Sequence, residues 1–403
     1  MFFSSRLLRA GAALAVAGLL GVADAARRAD PGPALAHASA HAQSTGSAQS
    51  VGEAGLVSGH WERVARGHIP MPPGVPAAHA SALVALPATH PSALLAFWFA
   101  GDRESAPNVQ IAMSSLDRAT GIWSPARMVV DRWEMAQQLG FGIRRLGNPV
   151  AWVDGQGQVH LFVVATGLGG WAAGRVLHLQ QAAPTPQTPW AWKATAVLPL
   201  SWLWNTSYLV RTAPLPLADG GMVLPVYFEL ARKYPVALRL DARGVLLSMV
   251  PISTRGQELQ PALLALGERD WLALMRDGGP EGRIRAARSA DGGAHWSDAG
   301  DLPLDNPNAS VATLTAVDQH WLVYNPGKIG RNALTMASSA DGQNWRTVLD
   351  LESGPPGNEY SYPAMAMADG QLWVSYTDQR QSIAWQRFSW VGASPTAPGK
   401  ETP

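Results

Sequence analysis

From about residue 60 onward, short runs of alternating apolar and polar residues are broken repeatedly by Gly, Asp, Asn and Pro. Alternation with a period of two marks a half-buried β-strand. The pattern itself recurs. An apolar run leads to a Gly or Asp turn, a second alternating run follows, and a third strand and another turn close the unit. The openings read HASALVAL from His79, NPVAWVDGQGQVHLFVV from Asn148 and RTAPLPLADGGMVLPVYFE from Arg211. They continue with LQPALLALGERDWLALMR from Leu259, ASVATLTAVDQHWLVYN from Ala309 and EYSYPAMAMADGQLWVSYTD from Glu359. Their starts are 69, 63, 48, 50 and 50 residues apart. A repeat of about 50 residues with four short strands per unit predicts propeller blades. The sixth unit, ending near Trp390, is one strand short, and HWERVARGHIP from His60 alternates like a strand ahead of the first unit. Pairing the two would close the ring and remove an unpaired sheet edge. No long amphipathic helix is predicted. The expected fold is an all-β, six-bladed β-propeller over residues 56–392.

The ends read differently. MFFSSRLLR is a short basic stretch, AGAALAVAGLLGV is apolar but short for a membrane span, and Ala23–Ala25 offers small residues for cleavage. Residues 1–25 are expected to be a signal peptide, 26–55 a disordered linker and 393–403 a disordered, Pro-rich tail. The mature protein is expected to be secreted or periplasmic, monomeric and without a transmembrane span. A formal net charge of +1 gives no electrostatic case for nucleic acid as a partner. The absence of cysteine excludes disulfides, thiolate metal sites and Cys nucleophiles. GLGGWAAG from Gly167 lacks the βαβ setting of a dinucleotide site. No cofactor or metal is expected.

RSADGGAHW carries Ser289, Asp291, Gly293 and Trp296 at the spacing S-x-D-x-G-x-x-W. Gly293 can adopt positive φ cheaply, Ser289 and Asp291 can bond the turn backbone, and Trp296 can pack beneath it. Looser copies stand at Ser339, Asp341, Gly342 and Trp345, and at Ser115, Asp117, Gly121 and Trp123. These Asp-boxes stabilise hairpins and carry no chemistry themselves. With the order of units, and with stretches such as YNPGKIGRNALTMASSADGQNW and EYSYPAMAM, they make His60 to Trp390 resemble the sialidase (neuraminidase) superfamily. Within it the chain is most similar to the bacterial branch with BNR repeat-like domains.

The resemblance implies a glycan or glycoconjugate substrate and an exo-glycosidase activity on an acidic, carboxylate-bearing sugar. Sialidases hold that carboxylate with three arginines, whose forked donors suit it. Arg276 in WLALMR and Arg331 in GKIGRNALTMASS match two of them; His79 stands where the third is expected. Arg103 matches an arginine that the family often carries near its pocket. The expected Tyr-Ser pair is Tyr360-Ser361, which makes Tyr360 the first candidate for the nucleophile, with Tyr362 beside it. The assisting Glu aligns with Gln260, for which Glu258, two residues earlier, is a substitute. The acid/base Asp aligns with Asn108, near Asp102 and Glu104. Amides cannot shuttle protons as carboxyls do, so a strict sialidase mechanism is in question. His79 then becomes a candidate general acid or base. Glu229 is a candidate pocket carboxylate, and Asn148 and Asn308 are candidates to line the mouth. Two alternatives stay open: a polysaccharide lyase using His79 and a tyrosine on a uronate, and a catalytically inactive glycan-binding propeller.

Overall fold

Six antiparallel sheets follow one another along the chain, each a meander with its first strand innermost. A computed structural model describes residues 59–183 and 190–392. The expected signal peptide, linker and tail lie outside the described residues. Blade 1 runs through Ala77–Ala85, Ser92–Gly101, Gln110–Asp117 and Arg127–Val130. Blade 2 begins at Arg145–Val153, blade 3 at Tyr208–Val210, blade 4 at Glu258–Ala265, blade 5 at Ala312–Ala316 and blade 6 at Tyr360–Ala368. The last sheet is completed from the other end of the chain: Gly59–His68 pairs with Ser382–Gly392, from Gly59 opposite Gly392 to His68 opposite Ala384. The ring is closed as the one-strand deficit predicts.

Middle strands are sandwiched between neighbouring blades, and their sequences show it. Val159–Thr166 is buried throughout, as expected for strands covered on both faces. The inner strands meet around a small axial cavity of ≈ 20 Å³. Each blade presents an alanine to it, at Ala82, Ala151, Ala213, Ala262, Ala312 and Ala364. Small side chains let six backbones approach without leaving a wide pore.

Two Asp-boxes form as their spacing implies. Gly293 and Gly342 donate their backbone N–H groups to Ser289 Oγ (2.8 Å) and Ser339 Oγ (3.0 Å), and Trp296 and Trp345 donate from the indole to the Gly carbonyls. Gly293 has φ 83°, and a Cβ there would lie 2.5 Å from Trp271. The third copy departs from the pattern: Asp117 caps Thr120, while Ser115 bonds Ser124 instead of Asp117. One helix, Arg132–Leu139, went unforeseen although its caps are legible: Asp131 accepts from Trp133 and Glu134, and Gly140 takes φ 72°.

Candidate functional site

The inner strands begin with a repeated backbone device. Ala80, Asn148, Gln260, Asn308 and Tyr362 all have left-handed φ between 45° and 55°. In blades 1, 2, 4 and 6 the ladder slips at this point, between His79 and Ala82, Gly147 and Val150, Leu259 and Ala262, and Ser361 and Ala364. Such bulges re-aim a side chain that strict alternation would send elsewhere. Pro149, Pro261 and Pro363 follow three of the left-handed residues and leave no orphan N–H in the break. Positive φ at non-glycine residues is strained, and strain of this kind gathers at functional sites.

These bulges deliver side chains to one end of the axis. Arg276, near the end of the second strand of blade 4, donates through Nη1 to the Tyr362 hydroxyl at 3.3 Å and to Gln260 Oε1 at 3.2 Å. Its Nε donates to Asn308 Oδ1 at 2.7 Å. Arg331 donates to the Asn308 carbonyl at 3.0 Å, and its guanidinium lies 5.5 Å from the centre of the Tyr362 ring. A third cation, Arg211 of blade 3, lies 5.2 Å from the same ring. Gln260 Nε2 and Asn148 Nδ2 both donate to the buried Tyr227 hydroxyl, at 3.3 and 3.4 Å.

The two phenols are driven apart. Burial raises the pKa of Tyr227, and Glu229 adds to the effect. Burial also opposes ionisation of Tyr362, but Arg276 and Arg331 outweigh it and lower its pKa. Two like groups pushed in opposite directions mark distinct chemical roles.

His79 packs edge-on against Tyr362, ring centres 4.4 Å apart, and both of its ring nitrogens are buried without a partner. Burial, with Arg380 next, lowers its pKa to about 3. Imidazole at this position is held in its uncharged form near neutrality, the form that accepts a proton. Beside it, Glu359 accepts from Ser361 Oγ at 2.7 Å, from Arg380 Nε at 2.6 Å and from Arg331 at 3.3 Å. Burial opposes its charge, yet the bonds from Arg380 and Ser361 prevail and take its pKa down to about 2. Arg380 also reaches Glu104. Arg103, Glu104, Ser105, Ala77 and Arg380 line an open cavity of ≈ 350 Å³.

Of the residues singled out in the sequence, His79, Gln260, Arg276, Arg331, Asn148, Asn308 and Tyr362 meet in this network, and Arg103 stands at the neighbouring cavity. Others fall elsewhere. Tyr360 pairs opposite Asp378 in the regular ladder and packs toward Tyr376, ring centres 6.4 Å apart. Among the described residues its hydroxyl receives only Asn358 Nδ2, at 3.5 Å. The bulge gives the axial position to Tyr362, and Tyr360, the first candidate from the sequence, lies outside the network. Glu258 fails for the same reason, since the slip after Leu259 breaks the two-residue alternation that would have placed it beside Gln260. It is buried 3.2 Å from Arg255, in an ionic cluster with Arg285, Asp277, Asp298 and Asp301. Asn108 is exposed and accepts from the Asp102 backbone at 3.3 Å. Glu229 neighbours Tyr227; among the described residues no ion pair joins it to His79 or an arginine.

Arg211, Tyr227, Glu359 and Arg380 were missed. Glu359 and Arg211 each opened a repeat in the sequence, and that position was the available signal.

A family model described as a BNR repeat-like domain matches residues 92–374. No curated protein matches the chain. Among solved structures, a Dyadobacter fermentans protein of unknown function is similar at TM-score 0.66 and 12% identity, over 82% of this chain and 99% of that one. Trypanosoma rangeli sialidase is similar at 0.62 and 13%, over 82% and 59%. A NanB sialidase variant from Streptococcus pneumoniae gives 0.61 and 10%, over 81% and 70%. The chain thus spans 59% of the length of the Trypanosoma enzyme, and identities this low speak for the fold alone. With a match covering most of its length and six closed blades, the chain belongs to the BNR repeat-like family and has the sialidase-like propeller fold.

Proposed function

We propose that the protein is an extracytoplasmic exo-glycosidase that releases a carboxylate-bearing sugar from a glycan. The observation that carries this is the Tyr362 hydroxyl, bonded by Arg276 and flanked by Arg331 at the axis. Arg276 and Arg331 are only partly buried and keep donor hydrogens free for a sugar carboxylate. The phenolate of Tyr362 attacks the anomeric carbon, the glycosidic C–O bond breaks, and an aryl glycoside of Tyr362 holds the sugar. Solvent protonates the departing oxygen, because Glu104, the carboxyl at the lip, is ion-paired with Arg380. Water then attacks the same carbon, loses its proton to solvent, and expels the Tyr362 phenolate. Gln260 orients Arg276 and cannot act as the base; acidification by the arginines takes over that task. The likeness to the Trypanosoma and Streptococcus sialidases supports the reading.

The test is product analysis on a panel of sialosides and uronosides. Free reducing sugar from the parent, none from Tyr362→Phe, and a mass adduct on the Tyr362 peptide after treatment with a fluorinated acidic sugar are the expected results. A second reading, β-elimination on a uronate, draws support from the neutral His79 against Tyr362. It would show as an ultraviolet-absorbing unsaturated product. Binding without any product would overturn both.

A further inference from the structure

Blade 3 departs from its neighbours at the axis. Between the pairs Val210–Val226 and Leu215–Val223, four residues stand against two across the ladder. Arg211 leaves this widened stretch and crosses to the far side of the ring. Its Nη1 donates to the Ser81 carbonyl of blade 1 at 3.1 Å, and its Nη2 to the Pro363 carbonyl of blade 6 at 3.1 Å. Both carbonyls follow the left-handed residue of their blade and stand outside the ladder. Thr212 does the same for the Pro261 carbonyl of blade 4 with a neutral hydroxyl.

Bonding those carbonyls therefore does not call for a charge. Arg211 is nevertheless a cation at 2% exposure, with no carboxylate pairing it among the described residues. A buried, unpaired charge is costly. What it faces is an aromatic phenol, Tyr362, at 5.2 Å. Arg276 and Arg331 favour the phenolate from the open side, as does Arg380, while Glu104 opposes it. Tyr227 and His79 stay neutral beside it. A bound carboxylate would neutralise much of the effect of Arg276 and Arg331. Arg211 is sealed beneath the site, so its charge persists when substrate is present.

We propose that Arg211 is a positioning residue for Tyr362: anchored on the Ser81 and Pro363 carbonyls, it seats the ring at the axis and holds a fixed positive charge against it. The catalytic value of this rests on the function proposed above; the coupling between the two residues does not.

The experiment is a substrate-free NMR titration of ring-labelled tyrosine in the full chain, with the Tyr362 signal assigned from Tyr362→Phe. In the parent, Tyr362 should titrate below the ordinary phenol range. Arg211→Gln, which keeps amide donors but loses the charge, should raise its pKa by about one unit or more. Arg211→Lys should stay near the parent. Thr212→Val, which loses a carbonyl bond and no charge, should leave Tyr362 unchanged. On an acidic glycan that turns over, the pH profile of kcat should move with the Gln variant while KM changes little. A parent Tyr362 at or above the ordinary phenol value overturns the proposal whether or not the Arg211 variants fold. So does a folded Arg211→Gln that titrates like the parent. A shifted Tyr362 with no turnover on any glycan would instead sink the glycosidase reading and leave the coupling standing.

Discussion

Arg276 donates to the Tyr362 hydroxyl at 3.3 Å across 86 residues of sequence. The contact exists because the inner ends of blades 4 and 6 open onto one closed axis, and it separates Tyr362 from its neighbour two residues earlier. Tyr362→Phe should lower kcat/KM on an acidic glycan by about a thousandfold or more, as loss of a nucleophile does. Tyr360→Phe should stay within a few-fold of the parent, because among the described residues its hydroxyl has only the 3.5 Å contact from Asn358. Steady-state rates of both variants against one substrate check this. Equal losses would return the nucleophile to Tyr360.

On the proposed function, anion recognition falls to Arg276 and Arg331. Replacing either by Lys keeps the charge but loses the planar fork. We expect KM for a carboxylate sugar to rise by about ten- to a hundredfold, the scale of one or two strong charge-assisted bonds. The methyl ester of the same sugar should bind the parent poorly and discriminate little between parent and variants. If ester and acid bind the parent equally, these arginines are not the carboxylate anchor.

Much of this was readable in advance, for physical reasons. Blade count and closure follow from a period of about 50 residues and a missing strand, both long-range regularities that single bulges do not disturb. Arg276 and Arg331 were found because each ends or opens a strand in a recognisable run. Tyr360 was chosen on the Tyr-Ser pair that the resemblance implies and Glu258 on a period-two rule; in both blades a bulge that inserts a residue brings another position, Tyr362 or Gln260, to the axis. The proline after Gln260 and after Tyr362 was the visible hint that the ladder breaks there. Arg211 escaped notice because blade 3 lacks the motif that its neighbours use. Glu359 and Arg380 flank strands of blade 6, and only the fold brings them together.

The boxes should matter for stability and not for rate. Asp341 accepts from the Gln343 and Asn344 backbones at 2.8 Å each and from Asn344 Nδ2 at 2.7 Å. Asp341→Ala should cost about 1–3 kcal/mol by denaturant unfolding, the scale of such bonds when lost together. Its kcat should match that of the parent. A large loss of kcat in a folded variant would mean that the boxes reach the site after all.

Acid should loosen the molecule through its buried histidines. His79 is held to about 3 and His178 to about 4, in each case chiefly by burial. His178 also shares a 2.8 Å contact with His160 in blade 2. The unfolded chain binds protons near the ordinary histidine value of about 6.5, above both folded values. This contribution to stability is therefore complete above about pH 6.5 and is lost as pH falls toward 4 and 3. Melting temperature should drop across that window, and His79→Gln should flatten part of the fall. A parent Tm that stays constant from pH 7 to pH 4 would contradict the assignment.

Closure of the ring rests on a strand from the opposite end of the chain, and Trp61 is its anchor. Trp61 is 6% exposed and meets Trp321 and Trp390 edge-on, at 5.8 and 5.1 Å. Trp61→Ala removes an indole from between blades 5 and 6 and should cost about 3–5 kcal/mol, as large aromatic truncations in cores do. Deleting residues 59–68 goes further, since it strips the partner from Ser382–Gly392 and exposes an eleven-residue edge. We expect the deletion to sediment as aggregates and Trp61→Ala to stay soluble with a lowered Tm. The site lies on the inner strands, away from this outer one, so the soluble variant should keep its kcat below its melting temperature. A deletion that remains monomeric and melts like the parent would show that blade 6 is complete with its own strands.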